Sequence, residues 1–382
     1  MLQMIVKRTA VDIDYIVIDY PSFSDIDELV ASKKVDNERI EEIKESIIKN
    51  GFDPLGLKDI NGRPEVDHPY ILRSLGNGKY GKISGRTGRT YALKILKNEN
   101  ILDRVEIFAC DFVHYPENFS ETIKPNTNYG GFQKITFSDK NHTVIAGRDD
   151  IEKKFWHNFG VTDYFWLDKK VIDVSCNIGA WSFMAKERGA AYVEGFDVNC
   201  NAINVANNIK NTLSLDNIVF RCSSFENYKF EKKFDVAFLN QCVYHFNLDE
   251  GETFQRIVPH ADFLFIYTFM THKPEGNPKL GTYIPTKEKL KNHLTEAGYQ
   301  NIYIIDHLSE IKKIKEDKNY GGKKYIICCK PNITPLKLKY FVFDALLLEK
   351  KNLVVYVLSG DHPRFLQWWL PKSRLERLMI ND

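Results

Sequence analysis

Several features that would settle a protein's class are missing from this sequence. None of its seven cysteines (Cys110, Cys176, Cys200, Cys222, Cys242, Cys328 and Cys329) stands in a C-x-x-C pair or at metal-ligand spacing, so neither a redox motif nor a metal site is indicated. Several lie in apolar, strand-like runs, where a free cysteine behaves as a small hydrophobe. A reduced, cytoplasmic protein is therefore the expectation. No apolar stretch approaches the roughly 18–20 residues needed to span a bilayer. The N-terminal MLQMIVKRTAVDIDYIVIDY carries charge within its first eight residues and reads as no signal peptide. The chain should be soluble, with no membrane partner. Net charge is only +2, so bulk charge argues for no partner either. There is no internal repeat and no low-complexity tract.

What is present is globular: 43% hydrophobic and 27% charged residues. A length of 382 residues exceeds one ordinary core and suggests more than one domain. Residues 1–115 hold short apolar runs and one amphipathic helix, Asn37 to Asn50, with Ile40, Ile43, Ile47 and Ile48 at helical spacing and Gly51 as its stop. Residues 116–150 carry Pro116, Pro125, Gly130, Gly131 and four asparagines, a linker or a long ordered connection. Residues 151–331 alternate strands and helices: KKVIDVS, a helix from Trp181 to Arg188, AYVEGFDV, a helix from Cys200 to Leu213, NIVFRCS, FDVAFLNQ, ADFLFIYTF, a helix from Thr286 to Ala297, then IYIIDHL and KYIICCK. Such alternation implies an α/β fold with a mostly parallel sheet covered on both faces. The last two strands have only a charged connection between them, which suits an antiparallel pair. Residues 332–382 form a C-terminal extension, expected to pack as amphipathic elements on the preceding domain.

The segment Val171 to Trp181 is the most informative. An apolar strand runs into small residues and then a helix, so backbone N–H groups face a ligand at the sheet's carboxyl edge. Asp173 near the strand's end can accept from a positively charged amino group. The second strand ends at Asp197, 24 residues later, where open α/β nucleotide sites place a carboxylate on a ribose diol. A dinucleotide would require G-x-G-x-x-G so that a pyrophosphate could approach the helix. Here Ser175 and Asn177 hold the first two glycine positions, and Asp173 would repel phosphate. S-adenosylmethionine (SAM) has no phosphate and carries an α-amino group. The residues favour SAM. Either acid alone could equally cap a turn; the pair on consecutive strands, with Gly179 between, points to a cofactor.

KKVIDVSCNIGAWSFMAKERGAAYVEGFDVN resembles the opening of class I SAM-dependent methyltransferases, which read D-x-G-x-G-x-G or D-x-G-C-N-x-G and then a strand ending in an acid. The resemblance runs on into FDVAFLNQCVYHF and covers about 165 residues. It implies a Rossmann-like seven-stranded methyltransferase sheet. It also implies that Asp173, Ser175, Cys176, Asn177 and Gly179 form the methionine-side loop, with Asp197 and Val198 at the ribose. Ser224 and Phe225 would flank the adenine, and Asn240 would also bind the cofactor. Ser175 in place of the usual first glycine is the one departure.

Substrate chemistry should follow the fourth strand, at Asn240 to Phe246. Enzymes that methylate base amines carry a D/N-P-P-Y/F turn there; no proline occurs, which disfavours adenine N6 and cytosine N4. A cytosine C5 mechanism needs Pro-Cys, and Cys242 follows Gln241. His245 is a candidate general base, since imidazole titrates near neutrality, and Tyr244 a candidate for positioning substrate or closing the adenine pocket. Either could instead be purely structural.

NERIEEIKESIIKNGFDPLGL followed by KYGKISGRTGRTYALKIL resembles the ParB/sulfiredoxin-like fold, a smaller α+β domain. That family reads I-x-x-L-x-x-S-I-x-x-x-G and then G-x-[HR]-R-x-x-A at a helix start. In relatives this loop holds nucleotide phosphates, so the resemblance implies phosphate or nucleotide binding by Gly85, Arg86, Thr87, Arg89 and Thr90. Local charge agrees: Ile71 to Arg104 holds eight Lys or Arg against two Asp or Glu. A solvated basic face is the plainer alternative. No cysteine sits beside the arginine loop, so sulfiredoxin chemistry does not follow, nor does nuclease activity.

The expectation is thus an enzyme that moves a methyl group from SAM to an O or N nucleophile of a phosphate-bearing small molecule or nucleic acid. The rival expectation is a nucleotide- or nucleic-acid-binding ParB-like protein, NTP-hydrolysing in one version, whose methyltransferase fold is a sensor or scaffold.

Overall fold

A computed structural model describes residues 4–17, 37–62, 69–84, 87–119, 133–136, 144–145, 149–150, 163–246, 250–269, 287–299, 301–307, 323–331 and 353–359. Two sheets organise the chain, with a small three-stranded one between them in sequence.

The N-terminal sheet is built from β1 (Met4–Asp12), β2 (Ile16–Val17), β3 (Ile71–Gly76), β4 (Lys79–Ser84) and β5 (Arg104–Phe112), in the order β1-β5-β3-β4-β2. β1 and β5 pair antiparallel along their whole length, and β3 runs parallel to β5. β3 and β4 form a hairpin on Asn77-Gly78, both with positive φ (50° and 73°), the backbone that matches a strand pair's right-handed twist. Helices α1 (Asn37–Asn50) and α2 (Thr87–Asn98) cover this sheet. The expected α1 is present with its boundaries, and Ile40, Ile43 and Ile47 are buried against Leu93, Leu96 and Ile107. Ile48 is 53% exposed, because it sits about 100° around the helix from Ile47.

The stretch 116–150, expected as a linker or an ordered connection, is described only in part. It contributes β6 (Gln133–Thr136), β7 (Val144–Ile145) and β8 (Asp149–Asp150), and Phe119 and Ile135 are fully buried in the core of the larger domain.

The larger sheet comprises β9 (Lys170–Val174), β10 (Tyr192–Asp197), β11 (Ile218–Cys222), β12 (Phe234–Asn240), β13 (Ala261–Phe269), β14 (Asn301–His307), β15 (Lys323–Cys329) and β16 (Leu353–Ser359), in the order β11-β10-β9-β12-β13-β15-β14-β16. The first five in that order are parallel, and β15, β14 and β16 are antiparallel. The expected antiparallel pair is there, and the C-terminal extension adds an eighth strand to the seven expected. Helices α3 (Ala180–Glu187), α4 (Cys200–Thr212), α5 (Glu250–Ile257) and α6 (Lys287–Glu296) connect strands. The sequence reading foresaw α3, α4 and α6 to within a residue or two and missed α5. α3 and α4 enclose one apolar core with the sheet, and α5 and α6 enclose the other.

The two sheets meet. Ile71, Phe108 and Cys110 pack with Leu167, and Arg8 pairs with Asp168 across the junction at 2.5 Å. Strand order reverses between β9 and β12, so the crevice outside their carboxyl ends is where an open α/β sheet binds its ligand.

Candidate functional site: the crevice beyond β9, β10 and β12

β9 ends at Val174, and the next five residues turn into α3. Three of them have positive φ: Ser175 (57°), Asn177 (52°) and Gly179 (80°). These are the three glycine positions of the motif, so the alternation of left-handed residues survives although two glycines do not. Asn tolerates this region through its short polar side chain, whereas Ser is strained there. Gly179 cannot be replaced cheaply: a Cβ would stand 2.6 Å from the Phe220 ring.

Asp197 joins the loop to the second strand. Its Oδ2 accepts from the Asn177 N–H (2.8 Å) and its Oδ1 from the Asn199 N–H (2.8 Å). Asn199 then caps α4 through its side chain. Val198, next to Asp197, is 72% exposed, an apolar side chain offered to a ligand.

Asp173 is turned inward. It is 1% exposed and accepts a 2.7 Å bond from the Ser182 hydroxyl on α3. Burial pushes its pKa up to about 7, against the lowering effect of the Ser182 bonds. The direct bond to an amino group expected from the sequence is not what this conformation offers; the carboxyl ties β9 to the first turn of α3. Cys176 is likewise buried and serves through its backbone, its N–H donating to Phe196 O at 2.9 Å.

Asn240 ends β12 beside this loop. Both its amide nitrogen and its amide oxygen are buried and, among the described residues, have no hydrogen-bond partner. A polar group in that state costs about 1–3 kcal/mol unless something else completes it. It is the kind of vacancy in bonding that a cofactor or acceptor fills, and with Val198 and the Asp197 carboxylate it fits SAM's mixed polar and apolar surface.

Ser224 and Phe225 follow β11. The Ser224 hydroxyl accepts from the Asn227 N–H (3.3 Å), and Phe225 is buried and stacked on Phe246 at 4.3 Å, so the loops after β11 and β12 are clamped together. Cys242 is buried and its thiol is held well above its ordinary pKa by burial, which removes it as a nucleophile. His245 sits at the surface in the 3-10 turn Val243–His245, and partial desolvation lowers its pKa. Tyr244 shares that turn; its side chain lies outside the described residues.

The sequence reading missed three residues that hold this site. Gln133, from β6, donates from Nε2 to Cys176 O (3.0 Å) and accepts at Oε1 from the Ala180 N–H (3.1 Å), spanning the loop and capping α3. Ser182 holds Asp173. Arg256 of α5 donates to the carbonyls of Glu226 and Tyr228 and lies over the Phe225 ring. Only Ser182 carried a sequence signal, lying within the motif's helix.

In the N-terminal loop, two of the five expected phosphate-binding side chains are described. Arg89 is fully buried with its guanidinium 5.3 Å from the Tyr70 ring, and Thr90 is buried with its hydroxyl 2.7 Å from Tyr70 O. α2 starts at Thr87, and both residues fall on its inward face. Gly85 and Arg86 lie outside the described residues, as does the side chain of Thr87.

A second correction concerns cysteine. Cys200 and Cys222 form a disulfide, with Cα atoms 5.1 Å apart. The parallel register that sets Asp197 opposite Cys222 brings the end of β11 against the start of α4. The cytoplasmic assignment thereby loses the support that reduced thiols gave it. Among the described residues, no helix is long and apolar enough to cross a membrane, and no three His, Cys, Asp or Glu side chains are grouped to hold a metal ion.

Residues 167–341 match the family model of a methyltransferase domain, and this part of the chain is a SAM-dependent methyltransferase domain. No curated protein matches the chain. Solved structures similar to it include a SAM-dependent methyltransferase from Mesorhizobium loti (14% identity, 43% of this chain and 92% of that one, TM-score 0.35). Another is a phosphoethanolamine N-methyltransferase of Haemonchus contortus bound to phosphomonomethylethanolamine and S-adenosylhomocysteine (16%, 48% and 52%, TM-score 0.38). A third is the geranyl diphosphate C-methyltransferase of Streptomyces coelicolor (14%, 47% and 77%, TM-score 0.37).

Proposed function

We propose that this protein methylates an oxygen or nitrogen nucleophile, and that its acceptor bears phosphate, as a nucleotide, a nucleic acid or a nucleotide-linked metabolite does. The observation that carries the transfer is the pair of unpartnered amide atoms of Asn240, at the carboxyl end of β12 and beside a loop of three left-handed residues. When bound, SAM supplies a methyl group on a sulfonium, ready for in-line displacement. The chain's own residues orient and shield. The loop from Ser175 to Gly179 lets the backbone approach the cofactor closely, Asp197 keeps lone pairs for a diol, and Val198 gives an apolar face. Asn240 supplies one donor and one acceptor where the nucleophile approaches. Holding the reacting atoms in line is the larger part of the acceleration.

His245 is the proton acceptor in this reading. Its lowered pKa leaves the imidazole neutral at pH 7, able to take the proton that the nucleophile sheds. The expected kcat/KM rises with pH, levels off above a pKa lower than 6.5, and loses that limb in His245→Ala; an unchanged profile in the variant contradicts the assignment.

Phosphate on the acceptor is supported by the basic excess between Ile71 and Arg104. The ParB-like assignment, with nucleotide gripped by the N-terminal loop, rests on the sequence pattern, Arg89 and Thr90 being buried against Tyr70, and the sensor or scaffold alternative gains no observation of its own. Methyl-labelled SAM, incubated with the protein and cell extract, should label a fraction whose acceptor capacity disappears after phosphatase or nuclease treatment. Labelling that survives both treatments overturns the phosphate-bearing acceptor.

A further inference from the structure

No helix connects β11 to β12; residues 223–233 run as turns and coil, so among the described residues one face of the sheet at its β10–β11 edge has no helical cover. A cleft of about 330 Å³ opens there, lined by Arg221, Ser223, Asn227, Lys229 and Lys232 around Glu194. Glu194 stands on the face of β10 opposite α3 and α4, and its side chain is only 4% exposed. It accepts from the Tyr192 hydroxyl (2.6 Å), the Arg221 Nε (2.6 Å) and the Tyr228 hydroxyl (2.9 Å). Lys232 Nζ donates to the Tyr192 hydroxyl at 2.8 Å and lies 3.7 Å from the same carboxylate.

A buried carboxylate with this many donors is a support, and what it supports is Arg221. The guanidinium is held through Nε alone, while its side chain is 55% exposed. Among the described residues its two terminal nitrogens donate to no protein atom. Fixing Nε orients the plane of the fork and leaves its end, where the two terminal nitrogens each turn one N–H outward, available to grip an oxyanion with two parallel bonds. Lys229 and Lys232 bring further positive charge, and Ser223 and Asn227 bring neutral donors. Three cations against Glu194 and Glu231 leave the cleft net positive. The number of donors exceeds what the two oxygens of a carboxylate would use and suits a tetrahedral anion.

We propose that this cleft is a binding site for a phosphate group, with the terminal nitrogens of Arg221 as its principal grip. The site lies on the other face of the sheet from α3 and α4, and the proposal stands whichever acceptor is methylated. A phosphorylated small molecule and a nucleic-acid backbone would present the same oxygens.

The test is calorimetric titration of the full-length protein with inorganic phosphate, at constant ionic strength against chloride. Binding is expected, weakened about tenfold or more in Arg221→Ala and less in Arg221→Lys, which keeps the charge but loses the fork. Glu194→Gln should weaken it as well, by releasing the guanidinium. SAM affinity, measured on the same samples, should stay within about twofold and certifies that each variant is folded. Ribose 5-phosphate and a short oligothymidylate, used as competitors, separate the two sources of phosphate. No binding by the wild-type protein, or binding that Arg221→Ala leaves intact, overturns the proposal; either result reduces Arg221 and Glu194 to a solvated ion pair.

Discussion

A carboxyl group sealed beneath a sheet resists ionisation, and Asp173 is the residue on which this matters most. Burial raises its pKa from 3.8 to about 7. In the unfolded chain the group ionises near its ordinary value, so above that pH unfolding releases a proton that the folded state still holds. The folded state is therefore penalised progressively as pH rises from about 4 to 7, and the penalty is constant above that. A shift of about three units corresponds to at most about 4 kcal/mol. Asp173→Asn should lie close to the wild type at pH 4 and be the more stable of the two at pH 8, by urea unfolding. A difference that does not change with pH contradicts the account. Gly179 makes the opposite kind of demand. Gly179→Ala meets both a left-handed φ and the Phe220 ring, and should lose about 2–3 kcal/mol by the same measurement.

At the scale of elements, the site is a loop held from three sides. Asp173 and Ser182 tie strand to helix, Asp197 ties the loop to β10, and Gln133 spans Cys176 O and Ala180 N–H. Removing the last should leave the fold standing and the loop loose. Gln133→Ala is expected to weaken SAM binding by about tenfold, the worth of one or two hydrogen bonds, and Gln133→Glu should fail to restore it because a carboxylate cannot donate to Cys176 O. Unchanged calorimetric affinity in both variants would count against this role. What was legible in the sequence follows the same division. The motif from Asp173 to Asp197 is local, its spacing fixed by one strand, one turn and one helix, and it could be read directly. Gln133 lies 43 residues before Cys176 and arrives only through tertiary packing. The Cys200–Cys222 disulfide depends on the register between β10 and β11, which spacing does not reveal. The facing of Arg89 and Thr90 is hidden for a related reason: a glycine-arginine pattern marks a helix start, but the phase of α2 sets those side chains against Tyr70.

For the whole molecule, the N-terminal sheet is docked on the methyltransferase domain through Leu167 and the Arg8–Asp168 pair, and the C-terminal extension closes the far edge of the larger sheet. β16 pairs with β14 from His307↔Leu353 to Ile302↔Ser359, so β14 has a neighbour on each side. A chain ending at Pro331 would leave β14, with Ile302, Ile304 and Ile305, as an unpaired edge. Such edges recruit other chains. The truncated protein is expected to sediment as larger species than the full-length one; an unchanged distribution would mean that β16 protects nothing. The central claim is that the crevice suits a sulfonium amino acid joined to adenosine and not a pyrophosphate. Calorimetric titration of the full-length protein with SAM and with NAD tests it most directly. Saturable heat from SAM, diminished about tenfold by Asn240→Ala, with none from NAD, is the predicted result; heat from NAD with none from SAM would contradict it.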